Sequence, residues 1–188
     1  MDAEHAADEG GQRSNATDAE PPEPGAGVDA SGGERVEIDL AAPVLARGDV
    51  PTAWLIEQVA AVLDRLDRED HARCGRVSIR VVDDAEMDAA HRRFSGIEGT
   101  TDVLTFVAPE PDGLGVDVVI CLDEAIRRAA EFGHGVDREL LLYVVHGVLH
   151  ALGHDDHDPD DHARMHAEED RLLRAIGVGP VYRPGGDA

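Results

Sequence analysis

Residues 146–157 read HGVLHALGHDDH, four histidines and two aspartates within twelve positions at the end of an apolar run. His146 and His150 are four residues apart, so on a helix their rings stack on one face and converge. The first two ligands of many helix-borne zinc sites are arranged this way. A hydrogen-bonded pair of core histidines is the plain alternative, and for a lone histidine it would be preferred. Gly153, which permits a sharp turn, and the Asp and His residues beyond it weigh toward a metal. The expected cofactor is one zinc ion per chain, with a third ligand beyond the turn and an open fourth position for water or a phosphoryl oxygen. The pattern also approaches the metzincin protease motif. Position 147, however, is Gly where that chemistry needs a Glu as general base, so a peptidase is disfavoured.

A helix must carry these residues, and DRELLLYVVHGVLHAL is apolar on nearly every face except at His146 and His150. It should lie deep in the domain. Around it, VEIDL and RVSIRVV alternate as strands, and DVLTFV and DVVICL read as an antiparallel pair joined by a Pro/Gly loop. Helical spacing marks PTAWLIEQVAAVLDRLDR, DAEMDAAHRRF with Asp83 or Asp84 as its cap, DEAIRRAAEF capped by Asp123, and PDDHARMHAEEDRLLRAI. Strands clustered before helices predict an α+β fold, a single domain with a small mixed sheet packed by helices and the metal site on a central buried helix.

The chain of 188 residues suits one domain, expected over 35–180. Residues 1–34 lack large apolar side chains and read as a disordered acidic tail, and 181–188 as a loose end. Arg supplies all 17 basic residues against 40 acidic ones, a net charge of −23 that repels nucleic acid and anionic membranes over most of the surface. An anionic substrate therefore needs a local positive patch. No apolar run suits a membrane span, the opening residues lack a secretory pattern, and Cys74 and Cys121 follow no metal or redox spacing. The expectation is a cytoplasmic protein with reduced, buried cysteines and no membrane partner. His162 and His166 form a second i, i+4 pair, read as surface histidines on an amphipathic helix.

HGVLHALGHDDH resembles the signature of the YbeY family, metal-dependent endoribonucleases of bacterial rRNA maturation, and HRRFSGIEGTTDVLTF and DVVIC resemble its upstream stretches. The likeness spans 76–166. It implies a single-strand-specific, zinc-dependent endoribonuclease acting in 16S rRNA 3′-end maturation and ribosome quality control. Its partners would be ribosomal RNA precursor and small-subunit proteins, and His146 both a ligand and catalytic. The family's third histidine falls at Asp156, with His157 one position later. Either can bind zinc. A one-residue insertion after Gly153 would keep the Asp-His pair and favours His157, since imidazole suits a neutral-ligand site. Three imidazoles leave the ion its full double charge, whereas Asp156 would halve it. His154, at the family's aromatic position, is expected behind the ligands. The family's phosphate-binding Arg is replaced by Ser95, and Arg92 and Arg93 are the expected substitutes, ahead of Arg127 and Arg128. Thr101 and Asp102 would line the substrate cleft, and Asp117 is assigned no role. A ribosome-assembly factor with a structural metal is the alternative.

Overall fold

The computed structural model describes residues 35–181, so the expected tail over 1–34 and residues 182–188 of the expected loose end lie outside the described residues, while Val181, the first residue of that end, is buried in the core. The elements run β1 (Val36–Leu40), α1 (Ala42–Arg47), α2 (Thr52–Leu63), α3 (Arg68–Arg73), β2 (Cys74–Val82), α4 (Asp84–Ser95), β3 (Val103–Glu110), β4 (Gly113–Cys121), α5 (Leu122–Phe132), α6 (Val136–Leu152) and α7 (Pro159–Ala175). The sheet order is β1-β2-β4-β3. β1, β2 and β4 run parallel, and β3 pairs antiparallel with β4 as a hairpin. The α+β architecture and the hairpin match the expected pattern. The six-residue helices α1 and α3 were not expected, because a segment that short shows no apolar period.

Strand alternation divides the sheet into two unlike faces. Val77, Ile79 and Val81 of β2 align with Val116, Val118 and Ile120 of β4, all buried, and form the floor on which α6 packs. The other face is charged and covered by α4. There Arg80 bridges Asp39 and Glu86, Arg76 pairs with Glu110 and Asp117, and Phe94 of α4 meets Phe106 edge-on with centroids 4.8 Å apart. Asp117 thus holds the cross-strand guanidinium of Arg76.

α6 buries Leu140, Leu141, Val144, Val145, Val148 and Leu149. Each contributes on the order of 2 kcal/mol. The helix therefore cannot shift without losing most of a domain's usual margin of about 5–15 kcal/mol. That rigidity is what its polar positions inherit.

Asp83 caps α4 by accepting from Glu86 N at 3.0 Å. Asp123 does not cap α5, whose N-cap is Cys121. The helix starts directly from the end of β4, leaving Asp123 in the first turn. There it accepts from Asp84 N at 3.0 Å and pairs with Arg47 at 2.6 Å, joining α4 and α1 to α5. Both cysteines are free and buried, and burial pushes the Cys121 thiol up to about 12. Among the described residues, no helix is long and apolar enough to cross a membrane.

Candidate functional site

α6 ends at Gly153, whose φ of 99° is a left-handed conformation that disfavours side chains and turns the chain sharply away from the helix. His146 and His150 occupy the last turns before it. Their rings meet edge to face with centroids 4.5 Å apart, and their Nε2 atoms are 3.1 Å apart. Each Nδ1 has its own acceptor: Glu169 Oε1 at 2.8 Å for His146, and the His154 carbonyl oxygen at 3.0 Å for His150.

These acceptors decide the tautomers. A ring that donates from Nδ1 carries its lone pair on Nε2 when neutral. The two Nε2 lone pairs then face each other at 3.1 Å, which is repulsive unless a cation lies between them. Two nitrogens bound to one tetrahedral zinc at 2.0–2.1 Å stand about 3.3 Å apart. The observed spacing fits that geometry. Asp156 completes the set, with Oδ1 at 3.6 Å from His150 Nε2 and Oδ2 at 3.8 Å from His146 Nε2. One donor atom from each of His146, His150 and Asp156 falls within 4.8 Å of the others. The residues present therefore fit a divalent metal.

The structure brings Asp156, and not the expected His157, to the histidine pair. The Asp155 carboxylate accepts from the backbone N of both Asp156 and His157, forming a local turn that aims residue 156 inward and 157 outward. His157 is 86% exposed, and its ring lies on Asp155. It shares with Asp155 and Asp156 a second ligand-like grouping on the outside of the loop, without the half-buried histidines. His154 lies behind the histidine pair. Its carbonyl orients His150, while its ring reaches Asp70 at 3.3 Å.

Glu169 went unnoticed in the sequence. It is fully buried on α7 and accepts from Nδ1 of His146 and of His166, the latter at 2.5 Å. Burial alone would raise its pKa, but the two histidines more than offset that and hold the carboxyl below its ordinary range. Burial opposes charge on His146, yet Glu169 wins there too and its pKa is raised. His166 is consequently no surface histidine, unlike exposed His162, whose ring centroid is 4.2 Å away. The available signal was the position of Glu169 on the apolar stripe of α7, four residues after Met165 and three before Leu172.

Gly147 lies where α6 crosses the hairpin. A Cβ there would sit 2.6 Å from Thr105 Oγ1 and 3.1 Å from Val118 Cγ1. The glycine thus serves the close crossing of α6 over the hairpin. Arg92 and Arg93 do not join the site. They belong to α4, on the opposite face of the sheet, where Arg92 pairs with Asp88 and Glu98 and Arg93 lies over Phe94. Beside His146 there opens instead a cleft of about 230 Å³ lined by Asp102, Arg128, Phe132, Glu139, Leu142, Tyr143, His166 and Val181. Asp102 is held at the entry to β3, its Oδ1 accepting from Val103 N and from Thr101 Oγ1.

A family model described as Endoribonuclease YbeY matches residues 47–177. The chain belongs to the YbeY endoribonuclease family. Relatives bearing the name Endoribonuclease YbeY include one from Anaeromyxobacter sp. (strain Fw109-5), 42% identical over 76% of this chain and 74% of its own. Those from Roseiflexus sp. (strain RS-1) and Halorhodospira halophila are each 37% identical, covering 76% and 78% of this chain and 93% and 97% of theirs. A solution structure from Thermotoga maritima aligns with a TM-score of 0.47 at 23% identity, covering 76% of this chain and 87% of that one. The family match takes in everything from α2 to α7, and with it the histidine pair, Asp156 and Glu169. The YbeY endoribonucleases are hydrolases, and metal-assisted phosphodiester hydrolysis is chemistry this donor set can serve.

Proposed function

We propose that this YbeY-family chain is a zinc-dependent endoribonuclease that cuts single-stranded segments of ribosomal RNA precursor. Its place would be late processing at the 16S 3′ end and ribosome quality control. One observation carries the metal dependence: two histidine Nε2 atoms 3.1 Å apart, each ring's Nδ1 engaged elsewhere, with a carboxylate beside them. His146, His150 and Asp156 would hold the ion. When bound, zinc supplies Lewis-acid charge at the phosphodiester.

The chain's own residues do the rest. Glu169 and the His154 carbonyl keep both ligand rings in the receptive tautomer. Arg128 lines the cleft beside His146, paired with Glu124 and Glu131 at 3.1 Å each, and by exchanging these exposed partners for a phosphate it would take the role expected of Arg92 and Arg93. Thr101 and Asp102 form the rim where the strand enters. With a net charge of −23, this local cation and the metal are the means of meeting RNA, and so few phosphate contacts should make the dependence of cleavage on salt shallow.

Purified protein should cleave single-stranded RNA, and His146→Ala should abolish cleavage while remaining folded. Equal cleavage by that variant would overturn the proposal. The acidic surface favours a second reading, an assembly factor in which the metal only ties the 153–158 loop to α6. Chelation separates the two: loss of cleavage with the fold intact marks a catalytic ion, cooperative unfolding a structural one.

A further inference from the structure

The cleft beside His146 holds more polar machinery than phosphate positioning requires. Glu139 and Tyr143, one turn apart on α6, are each 4% exposed and line it. Glu139 Oε2 is 3.0 Å from His134 Nε2, but out of line for a hydrogen bond. Glu139 also interacts with Tyr143 through its side chain, so His134, Glu139 and Tyr143 form one buried polar row along a wall of the cleft. Asp102 adds a second carboxylate, close enough for its charge to act on Glu139, Tyr143 and His146.

One wall is flat and already ordered. Phe132 is 38% exposed, a large apolar side chain at the surface with no core role, and it lines the cleft. His134 lies parallel to it, ring centroids 6.3 Å apart and planes within 9°, which fixes its orientation. Leu142, Val181 and the Tyr143 ring supply further apolar lining, and Arg128 stands beside them. A volume of about 230 Å³ is below the roughly 300 Å³ at which pockets for drug-sized molecules begin, and suits one planar ring system.

A flat aromatic wall, carboxylate acceptors within and a cation beside them match a nucleotide: base on the ring, N–H groups to the carboxylates, phosphate toward the guanidinium. We propose that this cleft is a nucleobase site, which takes the unstacked base of the nucleotide adjoining the phosphodiester at His146 and favours a base with an exocyclic amino group. The inference rests on the endoribonuclease reading. It also gives that reading a physical basis for single-strand preference, because only an unpaired base can leave its stack to enter. Adenine, cytosine and guanine offer the amino donor, whereas uracil has only its ring N–H to give and turns carbonyls to either side of it, leaving one carboxylate unmatched.

The test uses the zinc-loaded full chain and a set of single-stranded RNA oligonucleotides, identical except for one nucleotide next to the mapped cut: adenosine, cytidine, guanosine, uridine or an abasic residue. Cleavage at that bond should fall roughly tenfold for the abasic substrate, the size of one lost base–aromatic stack. Uridine should fall between the abasic residue and the amino-bearing bases. Phe132→Ala should remove most of the difference between base and abasic, and Glu139→Gln the difference between uridine and the others. In each variant the loss of cleavage should be larger on the adenosine RNA than on the abasic RNA. Equal cleavage of all five substrates by the parent, or unchanged preferences in both variants, overturns the nucleobase site while leaving the nuclease in place. Absence of cleavage on every substrate overturns the endoribonuclease reading beneath it.

Discussion

Replacing Glu169 with Gln keeps the volume of a fully buried side chain and removes only its charge and one acceptor. The carboxylate accepts from His146 Nδ1 at 2.8 Å and from His166 Nδ1 at 2.5 Å. A glutamine oxygen can serve one of these rings, and its NH₂ group then confronts the other. Hydrogen bonds to a charged group contribute about 1.5–3 kcal/mol each. Losing one and weakening the other should cost metal-free protein roughly 2–4 kcal/mol. The effect on the metal is separate. Outer partners of ligating histidines change metal affinity by about 10–100-fold, so zinc binding should weaken by about 1.4–2.7 kcal/mol. Urea denaturation with and without zinc, alongside calorimetric zinc titration, reads both quantities. At fixed excess zinc, the stabilisation by metal should shrink by about 1.4 kcal/mol for each tenfold loss of affinity. A folded Glu169→Gln protein with zinc affinity within threefold of the parent would refute the role given to this carboxylate.

Gly147→Ala sets a Cβ 2.6 Å from Thr105 Oγ1. Overpacking of about 1–3 kcal/mol should exceed the gain of roughly 1 kcal/mol in helix propensity, so the urea midpoint should fall; a rise would contradict the close crossing of α6 over β3. Burial raises the Glu139 pKa in the folded protein. The native state thus binds that proton more tightly than the unfolded chain, and this residue's contribution to stability declines as pH rises from the unfolded value of about 4.3 through the folded one. Glu139→Gln should accordingly be more stable than the parent at pH 7, by an increment that vanishes below about pH 4; an increment independent of pH would contradict the assignment. Joint replacement of Arg92 and Arg93 by Ala should leave RNA cleavage within about threefold, whereas Arg128→Ala should lower it at least about tenfold, as loss of a bidentate phosphate contact does. The opposite ranking in a single-turnover assay would restore α4 to the active site.

The parts of the site legible in the sequence are those set by local geometry. His146 and His150 are one helical turn apart whatever surrounds them, and a glycine after an apolar helix predicts the left-handed turn found at Gly153. Which of Asp156 and His157 faces the histidine pair was not legible, because a shift of one residue in a loop exchanges inward for outward. That choice fell to the Asp155 side chain, which gathers the N–H groups of Asp156 and His157. Glu169 lies 23 residues from His146, and a carboxylate on an amphipathic helix looks solvated until α7 is docked on α6. Arg92 and Arg93 misled because chain proximity to β3 does not reveal which face of the sheet α4 covers. The strand order β1-β2-β4-β3 and the alternation of β2 and β4 decide that, and both are tertiary facts. The cleft polar groups Glu139 and Tyr143 were hidden inside a segment whose apolar density argued only for burial.

His146, His150 and Asp156 are proposed to hold the metal. A crystal structure of the zinc-loaded protein, with the ion placed by its anomalous signal, tests this directly. The account predicts both Nε2 atoms and one Asp156 oxygen within about 2.0–2.2 Å of zinc, with His157 in solvent. An imidazole of His157 at that distance, with Asp156 displaced from the ion, would contradict it.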